Sequence, residues 1–237
     1  MKGVWICSSS GNGHGTHCAG TAAGETYGVA KCAKVHAIKV LSDGGSGSTS
    51  GIIAAIDWIL TLGSQYRPGV VSMSLGGSYN SAFNEAVDRL VDNGTTRQSA
   101  VGRAPFLHTT AKEANPFKDA YLCSIYHPTY AGIPAVVAAG NSADDACLYS
   151  PASSVKAITV GSTDSSDGRS SFSNRGSCVD IYAPGSFIKS AYYRTDSDFA
   201  TLSGTSMAAP HVSGAVALVY EANPSFTPDE VKEEVRK

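Results

Sequence analysis

The chain has 237 residues, six cysteines and a formal net charge of −2. That length suits one α/β domain with a sizeable core. The slight negative charge gives no electrostatic footprint for nucleic acid or a membrane surface. No apolar run is long enough to span a bilayer, and the cysteines form no Cys-x-x-Cys zinc pattern.

In chain order, residues 1–10 carry no distinct element, and the stretch lacks the apolar core of a signal peptide. Gly11-Asn12-Gly13-His14-Gly15 then reads as a glycine-rich turn that delivers His14 and opens a small-residue helix over 16–23. Flanking glycines leave the imidazole accessible, as a base must be to reach its partner. His17 falls one turn later and points inward. A metal site from His14, His17 and Cys18 is the competing reading. Adjacent His17 and Cys18 face different directions on a helix, and no His-Glu-x-x-His pattern is present, which argues against it.

Residues 28–41 alternate toward their end and read as a strand. A glycine- and serine-rich loop leads to a helix over 51–62, with Ile52, Ile53, Ile56, Ile59 and Leu60 at helical spacing. Residues 70–74 read as a strand ending at Leu75-Gly76-Gly77, and 81–91 as a helix. Alternating strands and helices predict right-handed crossovers and a parallel sheet. The loop from Gly45 to Gly51 has the position of a dinucleotide loop. Its spacing misses Gly-x-Gly-x-x-Gly, and the next strand ends without an acidic residue for a ribose, so nucleotide binding is set aside.

Residues 95–131 break the pattern. They have no sustained period and far exceed the roughly two to six residues of an ordinary connection. His108, Cys123 and His127 lie there and receive no role. A strand resumes over 132–137, followed by Ala138-Ala139-Gly140-Asn141. An Asn just past a parallel strand stands at the carboxyl edge, where such sheets place ligands. Its amide can donate to an oxyanion, although Asn is also a common turn former.

Short strands over 157–161 and 179–185 lead to Gly204-Thr205-Ser206-Met207-Ala208-Ala209-Pro210. This reads as a turn and then a helix from Ser206 to about Tyr220, with Pro210 in the first turn. Taken alone, Ser206 is an N-cap. A serine there also faces unsatisfied N–H groups and the positive end of the helix dipole, which stabilise an oxyanion forming beside it. Thr227-Pro228-Asp229-Glu230 caps a last helix running to Lys237.

Three motifs, GHGTHCAGT, AAGN and GTSMAAP, occur in this order. Together they resemble the subtilisin-like serine proteases, in the branch of proteinase K and aqualysin. The likeness covers 11–94 and 132 to the end. It implies an α/β, three-layer fold with a mainly parallel central sheet flanked by helices, and a single peptidase domain over 1–237. It implies a serine endopeptidase in which Ser206 is the nucleophile and His14 the general base that a serine hydroxyl needs. Asn141 and the Ser206 N–H would form the oxyanion hole.

By the same resemblance, Gly45, Ser46 and Gly47 face Ser74, Leu75, Gly76 and Gly77 across an extended polypeptide substrate. Ala138, Ala139 and Gly140 would wall a primary pocket with room for a large apolar side chain. The likeness also implies a Cys147–Cys178 disulfide. It implies a structural calcium on the carbonyls of Val155 and Ala157 and the carboxylate of Asp180. By itself, Asp180 is a polar residue opening a strand. No cofactor for catalysis, a monomeric state and secretion are further implications. Cys18 matches a free cysteine beside the family's histidine, and Cys32 is a candidate to pair with it.

The family's third catalytic residue is an acid that ends a central strand upstream of the histidine. None of residues 1–13 is Asp or Glu. Asp43 falls in the substrate loop and Asp57 in a helix. The acid orients the imidazole and stabilises its charged form. The pattern therefore predicts an N-terminally incomplete domain that lacks a central strand and leaves ladder groups unpaired. A non-catalytic peptide-binding module, or a truncated gene product, is the second reading. Joining Gly94 to Ile133 gives DNGIPAVVAAGN, the family's ordinary helix-to-strand connection, which marks 95–131 as inserted.

Overall fold

A computed structural model describes residues 2–7, 11–62, 68–92 and 132–237. Strand β1 (Lys2–Cys7) is followed by α1 (His14–Ala23), β2 (Ala33–Ile38), α2 (Thr49–Thr61), β3 (Gly69–Met73), β4 (Gly77–Ser78) and α3 (Ser81–Asp92). After these come β5 (Ala135–Ala138), β6 (Tyr149–Ser150), β7 (Ile158–Thr163), β8 (Ile181–Pro184), β9 (Ile188–Ala191) and β10 (Phe199–Leu202). Helices α4 (Thr205–Ala222) and α5 (Pro228–Val235) end the chain. The expected insertion at 95–131 lies outside the described residues.

Six strands form a parallel sheet in the order β2-β1-β3-β5-β7-β8. Strands β3 and β5 are buried at every position, which is why their sequences run apolar without a clean alternation. The chain steps from β1 to β2 in one direction, then back past β1 to β3 and onward in the other. Right-handed crossovers therefore put α1 and α2 on opposite faces. Helix α4 packs on α1 and across β1, β3, β5, β7 and β8, while α2 packs on α3. The result is three layers.

The order in which the chain adds strands reverses between β1 and β3. At such a switch point the loops leaving the carboxyl ends part and open a crevice. His14 follows β1, Ser74 directly follows β3, and Asn141 follows β5, so one edge of the sheet gathers all three loops.

The expected missing strand is corrected here. β1 runs in register with β2 from Lys2↔Ala33 to Cys7↔Ile38, and with β3 from Gly3↔Gly69 to Cys7↔Met73. Val4, Trp5 and Ile6 are strand formers, and the ladder between β2 and β3 is filled. The strand expected over 28–41 is shorter, because 28–32 form turns closed by Ala30 N–H to Ala22 C=O and Ala33 N–H to Ala30 C=O. The antiparallel β9–β10 pair was not foreseen. Among the described residues, no helix is long and apolar enough to cross a membrane.

Candidate active site

Ser206 is the second residue of α4, among the first-turn amides that have no intrahelical acceptor. Its Oγ lies 3.4 Å from the Ser74 carbonyl oxygen. The expected place of Pro210 needs correction: α4 begins at Thr205, so Pro210 lies inside the helix rather than in its first turn. Proline has no N–H to give to the carbonyl four residues back, which is that of Ser206. That oxygen accepts instead from Ser74 Oγ at 2.9 Å and from Cys18 Sγ at 3.3 Å. Burial pushes the Cys18 thiol up to about 12, so it stays protonated and able to donate. Cys18 stands four residues after His14 on the same face of α1. The contact therefore docks α1 against the start of α4, with His14 at the cleft end.

Gly13 before His14 has φ 79°, and a Cβ there would strike the rings of Tyr192 and Tyr193. Only glycine makes that turn freely. His14 is half-buried, and burial, with a smaller effect from His17, lowers its pKa to about 4. The ring is therefore neutral at physiological pH and able to accept a proton. His17 is fully buried, and its Nε2 donates to the carbonyls of Ile188 at 2.9 Å and Ala200 at 3.1 Å. It ties α1 to β9 and β10. Cys18 and Cys32 are both free thiols, one buried and one exposed, so the pairing suggested for them does not form.

Asn141 is held at its oxygen. Thr205 donates to Asn141 Oδ1 from its backbone N–H at 2.8 Å and from its hydroxyl at 3.0 Å. With the carbonyl end fixed, the Nδ2 end is the donor left for the cleft. Thr205 Oγ1 also accepts from the Gly140 N–H at 3.1 Å. Behind this loop, Asn174 Oδ1 accepts from the N–H groups of Ser142 and Asp144, and its Nδ2 donates to the Ala139 carbonyl at 2.9 Å. Gly140 has φ 103° and backs directly onto the Asn174 amide, leaving no space for a side chain.

Two depressions meet at Leu75-Gly76-Gly77. A pocket of about 260 Å³ is bordered by those residues with Ala138, Ala139, Gly140, Asn141, Thr205 and Ser206. A groove of about 480 Å³ beside it is bordered by His14, Gly45, Ser46, Gly47, Ser74, Leu75, Gly76 and Gly77, with Asn12, Leu41 and Phe83. Every residue expected to act on or grip substrate borders one or the other. Thr205, Asn174 and Asn12 were missed. Thr205 lies inside the GTSMAAP motif and could have been suspected, whereas nothing marks Asn174 in its polar turn.

The profile described as "Subtilase family" matches residues 6–237. The chain belongs to the subtilase family. It is 46% identical over 225 residues to the "Alkaline serine exoprotease A" of Vibrio alginolyticus, covering 95% of this chain and 34% of that protein. It is 43% identical over 220 residues to the "Extracellular serine proteinase" of Thermus sp. strain Rt41A, covering 93% of this chain and 44% of that protein. A solved cold-adapted subtilisin-like serine proteinase is 40% identical with a TM-score of 0.75, covering 96% of this chain and 72% of that one. The three-layer subtilisin-like fold expected from the motifs is the one found. The chain spans less than half the length of these curated relatives.

In this subtilase, Asp43 and Asp57 are each held by a basic side chain. Asp43 accepts from the Gly11 N–H at 3.2 Å and pairs with Lys39 at 2.7 Å. Asp57 pairs with Arg89 at 2.7 Å. Cys147 and Cys178 form the expected disulfide.

The oxygens suggested as calcium ligands do converge, and they surround an ammonium. Lys232 Nζ lies 3.4 Å from Val155 O, 2.5 Å from Ala157 O and 3.0 Å from Asp180 Oδ2. An ammonium has three N–H donors, and each finds one of these oxygens. Asp180 Oδ2 also accepts from the Thr159 N–H at 2.9 Å, and Oδ1 faces Arg236 Nε at 4.0 Å. In this arrangement the donor set fits an ammonium and not a divalent ion.

Proposed function

We propose that this subtilase is a serine endopeptidase acting on extended polypeptides, with broad specificity and a preference for an apolar residue before the scissile bond. In this reading, Ser206 Oγ attacks the peptide carbonyl and neutral His14 takes its proton. Asn141 Nδ2 and the Ser206 N–H receive the oxyanion. The backbone of Ser74–Gly77 and of Gly45–Gly47 pairs with the substrate chain, which supplies affinity without reading sequence. Ala138, Ala139, Gly140 and Leu75 give the primary pocket apolar walls. The reading includes secretion, in keeping with the name of the Thermus relative, and a monomeric state.

The observation that carries it is that Ser206 borders the same pocket as Asn141, whose carboxamide oxygen is held by Thr205. A turn-forming Asn needs no such second partner. A fluorophosphonate probe tests the proposal: it labels Ser206 in the folded chain and labels nothing in Ser206→Ala. A peptide library dominated by Lys or Arg before the cleavage point removes the apolar preference.

One observation favours a second reading. Among the described residues that border the groove and the pocket, none is Asp or Glu. The acid of a triad is worth about 10⁴ in turnover. A peptide-binding module of the same fold binds an extended peptide in the groove yet leaves Ser206 unlabelled.

A further inference from the structure

The Lys232 ammonium sits where three separate chain segments aim oxygen atoms. Val155 and Ala157 contribute carbonyls from the turn before β7, and Asp180 contributes its carboxylate from the turn before β8. Lys232 comes from α5, at the other end of the domain in sequence. The side chains of Lys232 and Asp180 are only 14% and 15% exposed, so this is a largely desolvated pair. Each charge depends on the other, because a buried ion without its partner is strongly disfavoured.

The position is closed to a second cation. A calcium ion takes six to eight oxygen ligands at about 2.3–2.6 Å. Here the Ala157 carbonyl is spent on Lys232 at 2.5 Å. Asp180 Oδ2 is shared between Lys232 and the Thr159 N–H, and Oδ1 faces Arg236. Two cationic side chains surround one carboxylate, so a divalent ion would meet net repulsion as well as occupied ligands.

We propose that Lys232 is a built-in replacement for a divalent ion, its ammonium fastening α5 to the turns before β7 and β8. The anchor folds with the chain and needs no supply of metal. The rest of α5 is shaped to deliver it. Thr227 and Glu230 form a reciprocal capping box, Pro228 opens the helix, and Val231, next to Lys232, is fully buried. Helix start and core contact together fix the direction in which Lys232 leaves the helix.

The test is thermal unfolding of the full chain in excess EDTA and in millimolar calcium, with calcium binding followed by titration calorimetry. The wild type shows no calcium response that Asp180→Asn removes. Lys232→Ala loses about 5–10 °C in Tm, since it strands the Asp180 charge. It also gains a calcium response of about 5 °C that is absent from the Lys232→Ala/Asp180→Asn double variant. Lys232→Arg keeps a cation and stays indifferent to calcium. If Lys232→Ala does not fold in EDTA, recovery of its near-ultraviolet signal on adding calcium supports the proposal, and failure to recover counts against it. A calcium response of the wild type that Asp180→Asn abolishes overturns it. So does a Lys232→Ala variant with unchanged Tm and no affinity for calcium.

Discussion

Thr205 grips Asn141 from two sides of one residue, with its N–H at 2.8 Å and its hydroxyl at 3.0 Å on the same carboxamide oxygen. In the proposed mechanism, the residue before the nucleophile thus aims the side-chain donor of the oxyanion hole. Removing the hydroxyl while keeping the shape, as in Thr205→Val, leaves the backbone contact and loosens the amide. We expect kcat/KM to fall about tenfold, the worth of one well-placed hydrogen bond, mostly in kcat. Asn141→Ala removes the donor itself and should cost about 10²–10³ in kcat, a magnitude established for such a donor in subtilisin rather than obtained from these distances. Equal rates for Thr205→Val and wild type in a chromogenic peptide assay would show that Asn141 is oriented by something else.

The Ser206 carbonyl gives a second, separable prediction. Pro210 withholds a helical N–H from it, and Ser74 Oγ supplies the replacement at 2.9 Å. Ser74→Ala should destabilise the fold by about 0.5–1.5 kcal/mol, the net worth of one hydrogen bond, because it leaves that oxygen only the weaker Cys18 Sγ donor. Pro210→Ala restores an N–H at the position a helix would use. The double variant should therefore lose less than the sum of the two single changes, by an interaction energy of about 1 kcal/mol. Urea unfolding of the four proteins closes the cycle. Strict additivity would mean that the two donors do not serve the same oxygen.

The cleft was legible because an α/β sheet concentrates its chemistry at strand ends. Ser74 and Asn141 each lie within a few residues of one, so apolar runs ending in glycine-containing motifs pointed to them, whereas His14 stood out by its flanking glycines alone. What stayed hidden were the partners. Thr205 and Asn141 are 64 residues apart, and Lys232 and Ala157 are 75. No local periodicity links such positions. β1 was missed for another reason: Lys2–Cys7 is a six-residue strand beginning one residue into the sequence, with no turn signal before it. Pairing with β2 and β3, rather than propensity, holds it in place. Val155, Ala157 and Asp180 were grouped by resemblance and do meet, but the group at their centre came from a helix whose lysine reads as an ordinary exposed charge.

The buried histidines predict how the protein responds to acid. Burial holds His14, His17 and His211 below their ordinary value of 6.5, with His14 at about 4. As pH falls through 6.5, the unfolded chain takes up protons before the folded one does. Stability therefore falls with falling pH in this window and is insensitive to these groups above it. The urea midpoint should be flat from about pH 8 to 7 and should drop toward pH 5. A midpoint that rises on acidification contradicts the assignment. Since protonated His14 cannot accept from Ser206, probe labelling of Ser206 should lose its acid limb near pH 4 rather than near 6.5.

The Cys147–Cys178 bond links residues 31 apart. It clamps the turn after Asn141 to the segment entering β8. A loop of this size restricts the unfolded chain by about 3–4 kcal/mol. Cys147→Ser/Cys178→Ser should lower stability by about that amount in urea. Ser206 labelling should persist where the variant remains folded, because Asn174 and Thr205 hold the Asn141 loop independently of the disulfide. Loss of labelling in a demonstrably folded variant would place the disulfide in the chain of contacts that orients Asn141.

The last prediction concerns 95–131. Helix α3 ends at Asp92, and the Ile133 N–H donates to the Leu90 carbonyl at 3.0 Å. The backbone of Gly132 also backs onto the Val91 carbonyl. A Schellman ending has this bond, from the residue after a glycine to a carbonyl five positions earlier in the chain. In the sequence as it stands, the two partners are separated by the intervening segment. Deleting 95–132, which joins Gly94 to Ile133, leaves Leu90 and Ile133 five positions apart with Gly94 between them, and the same bond becomes local. Buried Ile133 keeps its place against the core. Shortening the closed loop should raise stability by about 2 kcal/mol, seen as a higher urea midpoint with Ser206 labelling retained. A deletion variant that fails to fold would show that the segment is integral to the domain and that the meeting of its ends is a consequence of its presence.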